Sequence, residues 1–492
     1  MEYLLTGKEM KSWEKKTMET YKTPSLLLME RAAQAVIKEI LNGSYDLHKV
    51  LVVCGTGNNG GDGLAVARML HMQGVFVEVY QVGENAKFTV ETKQQIEMYK
   101  AISGRFVTQP HWDEYTVIVD GILGIGCNRE ISGELKTVIE QINHSRATVI
   151  AIDIPTGVSA DTGKICGCGV NAATTITFFT KKLGMMLYPG RMYCGNIITE
   201  SLEVPFDVTE ECRRFTYTEQ DYKRLPKRPS NGHKGTFGKV LVIAGSKEIC
   251  GAAYLAAAGA YKIGAGLVKI FTPKENKNAL QVLLPEALLA VYDETDAGDK
   301  LKTEMKWANV IVIGPGIGTT KGAEEILRYV LENSEVPVVI DADGINLLAD
   351  CTDFMKKSKA QMILTPHILE MSRLCHLEKE KLLEDILGTA EQFAANYPVT
   401  LVLKDARTVV AKEKELLYIN TSGNSGMATG GSGDVLAGMI GGLLAQGMQD
   451  VEAARLGVFL HGMAGDAAGK KKSEYSMTAS DLLDGIAEVT GL

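Results

Sequence analysis

Asn420-Thr-Ser-Gly-Asn-Ser-Gly-Met-Ala-Thr-Gly-Gly-Ser-Gly-Asp434-Val-Leu-Ala-Gly438 decides how this chain is read. Its glycines stand ahead of one carboxylate, Asp434, and it runs directly into an apolar helical pattern from Val435 to Ala445. Glycines at that density let backbone N–H groups approach an anion with no Cβ in the way. A helix N-terminus adds a favourable dipole. An acid kept at such a phosphate site is costly unless it removes a proton there. The stretch therefore predicts a phosphoryl-transfer site with its own base.

Outward from it, short β-rich runs alternate with helical patterns. In this half the strands are expected at Lys239–Ala244, Leu267–Phe271, Val310–Ile313, Val338–Ile340, Met362–Leu364 and Thr400–Leu403. Helices are expected at Ala252–Ile263, Ala323–Glu332, Lys381–Ala395, Val435–Gln446 and Ala453–Ala468. The N-terminal half repeats the style without repeating the sequence. Its strands are Lys49–Cys54, Val75–Val82, Thr116–Val119, Thr148–Ile154 and Thr174–Thr180. Its helices are Lys8–Thr20, Pro24–Leu41 (Thr23 as cap, Pro24 as first residue), Leu64–Gln73 and Glu91–Ile102. Such alternation predicts two α/β domains, each a mostly parallel sheet covered by helices on both faces. A polar, proline-bearing segment over residues 205–235 reads as the linker, which gives domains 1–213 and 214–492.

A length of 492 residues exceeds one ordinary core. Apolar content of 45% with 23% charged residues fits packed globular protein. The net charge of −8 argues against nucleic acid as a partner, because phosphate backbones demand clustered Lys and Arg. The nine cysteines are scattered, and Cys166-x-Cys168 is poor evidence for zinc. No secretory signal pattern and no apolar run of about 20 residues is present. A soluble, cytoplasmic protein with no membrane partner is expected, as a homo-oligomer.

Strand Lys49–Cys54 leads into Gly55-Thr-Gly-Asn-Asn-Gly-Gly-Asp-Gly63, then a helix. Two more strand ends carry acids: Asp120-Gly-Ile-Leu-Gly-Ile-Gly-Cys-Asn-Arg-Glu130 and Asp153-Ile-Pro-Thr-Gly157. Bare charges beyond apolar strands are seldom structural, since burying one costs several kcal/mol. Asn59, Asp120 and Thr156 together make an all-oxygen set suited to a hard cation. Asp153 stands apart as a candidate acid or base. With Asp161-Thr-Gly163, these motifs resemble the NAD(P)H-hydrate epimerase family, the YjeF N-terminal domain, over most of residues 1–213. The resemblance implies a Rossmann-like three-layer α/β/α fold that interconverts the R and S hydrates of NADH and NADPH. It implies hydrate binding by Asn58, Asn59, Gly60, Gly61 and Asp62, by Gly124, Ile125, Gly126, Cys127, Asn128, Arg129 and Glu130, and by Asp153. Asn59, Asp120 and Thr156 would hold K⁺.

In the second half His233-Lys-Gly-Thr, Gly314-Pro-Gly-Ile-Gly318, Asp341-Ala-Asp343, Thr365-Pro-His-Ile-Leu-Glu370 and Lys404-Asp-Ala-Arg-Thr408 each adjoin a strand. In that order, with Gly-Gly-Ser-Gly-Asp434, they resemble the ADP/ATP-dependent NAD(P)H-hydrate dehydratase family, of ribokinase-like α/β fold, over roughly residues 214–492. The resemblance implies contacts to the S-hydrate from Ala252, Gly316, His367 and Asp434. It implies nucleotide contacts from Lys404, Asp405, Ala406, Arg407, Thr408 and Gly433. Four positions depart from the family: Ile368-Leu369 replaces Pro-Gly, Asp405 replaces Gly, and Ser432 replaces Thr. The expected chemistry is repair. Asp434 takes a proton from the hydrate's hydroxyl as it attacks ADP, with ATP the alternative donor, aided by Mg²⁺. Loss of phosphate restores NAD(P)H, and Asp153 shuttles a proton in epimerisation. The alternative is a vitamin or sugar kinase fused to a non-catalytic binding module.

Overall fold

The computed structural model describes residues 1–84, 87–205 and 212–491. They form two compact units, Glu2–Arg214 and the chain from Phe215 onward.

The first unit is built on a seven-stranded sheet. Its strands are β1 (Val50–Cys54), β2 (Val77–Gln81), β3 (Arg105–Val107), β4 (Val117–Gly121), β5 (Thr148–Ile152), β6 (Thr174–Phe178) and β7 (Asn196–Glu200). Across the sheet they run β3-β2-β1-β4-β5-β6-β7, all in parallel. The run Val-Leu-Val-Val-Cys of β1 is buried throughout, as a strand covered on both faces must be. Val50, Val52 and Cys54 join one core cluster with helices Ser25–Asn42 and Asn58–Met72. Leu51 and Val53 join the opposite cluster with helix Gly133–His144.

In the second unit the strands are β8 (Lys239–Ile243), β9 (Leu267–Pro273), β10 (Leu288–Tyr292), β11 (Val310–Ile313), β12 (Val338–Ile340), β13 (Met362–Leu364), β14 (Val399–Leu403), β15 (Val409–Ala411) and β16 (Leu417–Ile419). Their order is β16-β15-β14-β13-β12-β11-β8-β9-β10. Pairing is parallel from β14 to β10, and the β14-β15-β16 end is antiparallel. Helix Ser432–Ala445 packs closely on Gly251–Lys262. Small residues permit this: a Cβ on Gly438 would run into the Ala256 carbonyl oxygen, and one on Gly259 would sit 2.6 Å from that of Val435.

Several boundaries differ from expectation, each for a local reason. The helix after β1 begins at Asn58, so six of the nine residues of the expected glycine loop, Asn58 to Gly63, are helical. Pro24 occupies the N-cap of Ser25–Asn42 with no side-chain cap bond, so Thr23 is not the cap. The helix expected over Lys381–Ala395 is two, Lys379–Glu384 and Ile386–Asn396, because Asp385 leaves helical geometry and caps Gly388 N–H at 2.9 Å. The expected linker contains a strand, Arg214–Thr216, and a 3₁₀ turn, Glu219–Arg224, started by a Thr218–Asp221 capping box. Its residues 206–211 lie outside the described residues. Among the described residues no helix is long and apolar enough to cross a membrane.

Candidate active sites

The chain leaves β1 toward β2 and β3, then crosses to β4 on the other side. Ligands gather beyond the carboxyl ends of strands at such a reversal. A cavity of about 520 Å³ lies there. Its walls include Asn58, Asn59 and Asp62 after β1, Gly124, Ile125 and Gly126 after β4, Asp153 after β5 and Lys182 after β6. Asp153 is held in the left-handed region at φ 67°, its N–H bonded to the Ile176 carbonyl at 2.8 Å. Its Oδ1 accepts from Lys182 Nζ and, at 3.3 Å, from Thr177 Oγ1. The buried Lys182 ammonium also donates to Thr177 Oγ1 at 2.7 Å and to the Phe178 carbonyl at 3.1 Å.

Asp120 is fully buried at the end of β4. Its Oδ1 accepts from Thr156 Oγ1 at 2.7 Å and Ile122 N–H at 3.1 Å, and its Oδ2 from Thr156 N–H at 2.8 Å. Burial pushes its carboxyl up to about 6 against the pull of those bonds. Asn59 lies beside them: a Cβ on Gly124 would come within 3.3 Å of its side chain, whose buried Nδ2 has no hydrogen-bond partner among the described residues. The structure does not bring every expected residue into the cavity. Gly60 and Gly61 are buried packing positions against Gly55 and Met29. Cys127 is buried in the core, and Asn128, Arg129 and Glu130 are exposed away from the cavity walls.

In the second unit the reversal falls between β8 and β11. There Gly316 and Ala252 meet, a Cβ on the former lying 3.1 Å from that of the latter. Asp341 follows β12, His367 follows β13 and Lys404 follows β14, so parallel pairing gathers them at one edge. The wholly buried Asp341 accepts on Oδ1 from Lys404 Nζ at 2.6 Å and Thr365 Oγ1 at 2.7 Å, while its buried Oδ2 has no hydrogen-bond partner among the described residues. Ala342 beside it adopts φ 49°, ψ −120°, a sparsely populated conformation of the kind stored at functional sites. His367 caps helix Ile368–Cys375, accepting from Leu369 and Glu370 N–H groups, and its own N–H donates to Glu370 Oε2 at 2.8 Å. Ile368-Leu369 thus leaves Glu370 in a regular first turn, buried, with its carboxyl raised by that burial.

Gly431, at φ 91°, caps helix Ser432–Ala445, and Asp434 sits in its first turn. A Cβ on Gly433 would stand 3.1 Å from Lys404 Nζ and 3.7 Å from Asp341 Oδ2. Burial, then the nearby Asp341 charge, push Asp434 up to about 7 while Lys404 opposes them. Lys404 keeps a raised pKa: its burial favours loss of charge, and Asp341 and Glu370 outweigh that. Asp405 and Ala406 are exposed, Arg407 reaches the Thr421 carbonyl at 3.2 Å, and Thr408 Oγ1 donates to the Asp405 carbonyl at 3.2 Å.

The family model of NAD(P)H-hydrate dehydratase matches residues 240–488, and that of the YjeF-related protein N-terminus matches residues 25–184. A bifunctional NAD(P)H-hydrate repair enzyme of Moorella thermoacetica is 35% identical over 505 residues, covering 98% of this chain and 95% of its own. The chain belongs to the bifunctional NAD(P)H-hydrate repair enzymes. A Coxiella burnetii member is 36% identical, covering 92% of this chain and 93% of its own. A crystal structure of a ribokinase-like superfamily protein from Enterococcus faecalis shares 30% identity at a TM-score of 0.52, covering 56% of this chain and 95% of its own. The C-terminal unit is accordingly ribokinase-like, and the order of β1 to β7 makes the N-terminal unit Rossmann-like.

Sequence reasoning missed Lys182 and Glu14, both on the walls of the first cavity. Lys182 follows β6 as Asp153 follows β5, so the strand-end rule that found one could have found the other. Glu14 lies on a surface helix and carried no motif.

Proposed function

We propose that the two units divide one repair reaction. The N-terminal unit equilibrates the R and S hydrates, and the C-terminal unit dehydrates the S form at the expense of ADP, giving AMP and phosphate. The observation that carries the reading is Asp434. It stands in the first turn of a glycine-started helix, with no ion pair or hydrogen bond among the described residues and a carboxyl shifted to about 7. A carboxylate poised near neutrality can take the hydrate's hydroxyl proton as the oxygen attacks the terminal phosphorus of the nucleotide. Ala252, Gly316 and His367 would position the hydrate, and residues Lys404 to Thr408 with Gly433 the nucleotide. Lys404 bridges these roles, since it anchors Asp341 and lies against Gly433.

The donor for Mg²⁺ at this site would be Asp341, a hard carboxylate whose buried Oδ2 has no hydrogen-bond partner among the described residues; no cluster of three acidic, His or Cys side chains forms there among them. Bound there, it would offset charge on the phosphates. K⁺ fits the first site, where the Asp120 carboxylate and Thr156 hydroxyl converge beside the Asn59 amide. Asp153, ion-paired to Lys182, would move the proton in epimerisation.

The test is incubation of the full chain with a purified mixture of hydrate epimers, with ADP, ATP or no nucleotide. Recovery of NADH absorbance to completion, with one phosphate released per hydrate, is expected only with nucleotide. Accumulation of a stable phosphoester would instead establish the kinase reading.

A further inference from the structure

Helix Gly7–Tyr21 is fixed at its start by a Thr6–Glu9 capping box and by the Gly7 N–H bonded to Asp161 Oδ1 at 2.6 Å. On it Met10, Glu14 and Met18 recur every four residues and so share one face. All three line the cavity that holds Asp153. Trp13 is buried against Phe179, ring centroids 4.5 Å apart, which fixes the rotation of the helix. Glu14 is therefore a carboxyl turned to the cavity between two methionines, where packing alone calls for an apolar side chain. Among the described residues it has no ion pair or hydrogen bond, whereas Asp153 is bound to Lys182.

We propose that Glu14 is the second proton-carrying group of the epimerisation site, working in partnership with Asp153. The proposal rests on the epimerase reading and assigns a role within it. Water adds to the enamine double bond of a dihydronicotinamide with its hydroxyl on the ring carbon beside nitrogen. Glu14 gives its proton to that hydroxyl. The C–O bond breaks, its electron pair leaves with water, and the nitrogen lone pair forms the C=N bond of an iminium. A solvent water then adds to the other face while the Asp153 carboxylate takes its proton, and nitrogen recovers its lone pair. The reverse conversion exchanges the two roles, so the pair holds one proton in either direction. The groups facing Glu14 are Asp153 and Asp62, which disfavour its charge, and Lys182 and Lys11, which favour it. Burial, then Asp153, carry it to about 7, where a carboxyl both gives and takes protons readily.

The experiment uses full-length protein and purified R-hydrate in oxygen-18 water, following conversion to S by chromatography and label by mass spectrometry across neutral pH. The wild type should place oxygen-18 in the S product, with kcat falling above about pH 7 as Glu14 loses the shared proton. Glu14→Gln should lower kcat about a hundredfold, leave KM unchanged and abolish that alkaline limb. Glu14→Asp should restore part of the rate with the limb displaced, and it carries the test should the Gln variant fail to fold. Wild-type kcat in Glu14→Gln, or a reduced kcat with an unchanged pH profile, would overturn the role of Glu14 alone. A wild type that leaves interconversion at its spontaneous rate would remove the epimerase reading itself.

Discussion

The two sites handle a half-buried acid in opposite ways. In the N-terminal unit Asp153 meets its counter-charge directly, because the buried Lys182 ammonium is committed to it. In the C-terminal unit the nearby cation, Lys404, is committed to Asp341, and Asp434 is left without a direct partner among the described residues. An acid whose burial is uncompensated is driven toward its neutral form, and Asp434 accordingly lies near 7. The position of one lysine thus distinguishes a carboxylate that meets its counter-charge directly from one whose nearby cation is engaged elsewhere.

The most severe way to break this contrast is Asp434→Asn. Nucleotide-dependent dehydration should fall about a thousandfold while epimerisation keeps its rate, followed by NADH absorbance and by separation of the epimers. Near-normal dehydration would remove the assignment of the base.

How much of this was legible in the sequence follows from the same geometry. Central strands such as Val310–Ile313 and Val338–Ile340 announce themselves, because burial on both faces demands unbroken β-branched runs. Edge strands do not. Arg105–Val107 and Asn196–Glu200 carry polar residues that resemble loops, and Leu288–Tyr292 lies between segments without clear periodicity. Acids at strand ends were visible, since Asp120, Asp153, Asp341 and Asp343 stand next to apolar runs. Their partners were not, because pairing joins residues distant in sequence: Lys404 reaches Asp341 across 63 positions and Lys182 reaches Asp153 across 29. Glu14 was hidden for another reason, since its helix is mostly polar and one more acid there draws no notice.

Lys404→Met strands Asp341, and breaking one side of a buried pair costs about 3–5 kcal/mol. Urea unfolding should show that loss in the C-terminal unit, and a loss below about 1 kcal/mol would mean that Asp341 has no need of its lysine. Asp153→Asn tests the N-terminal half of the contrast. Epimerisation should slow about a hundredfold, so that a mixture of hydrates is only half consumed on the dehydratase timescale. Complete consumption at the wild-type rate, corrected for spontaneous epimerisation, would count against it. Gly438→Ala has the smallest expected effect. Its methyl group meets the Ala256 carbonyl, which should cost about 1–3 kcal/mol of stability and pull Asp434 off its position. An unchanged thermal midpoint would show that the two helices can part freely.

The central claim is that Asp434 must be ionised to accept a proton. It is tested most directly by the pH dependence of kcat/KM for dehydration of purified S-hydrate with saturating ADP. A base that titrates near 7 is inactive below that pH. The rate should therefore rise tenfold per pH unit on the acid side, level off above about pH 7, and lose this limb in Asp434→Asn. A profile already flat from mildly acidic pH upward, or a limb that survives in Asp434→Asn, would contradict it.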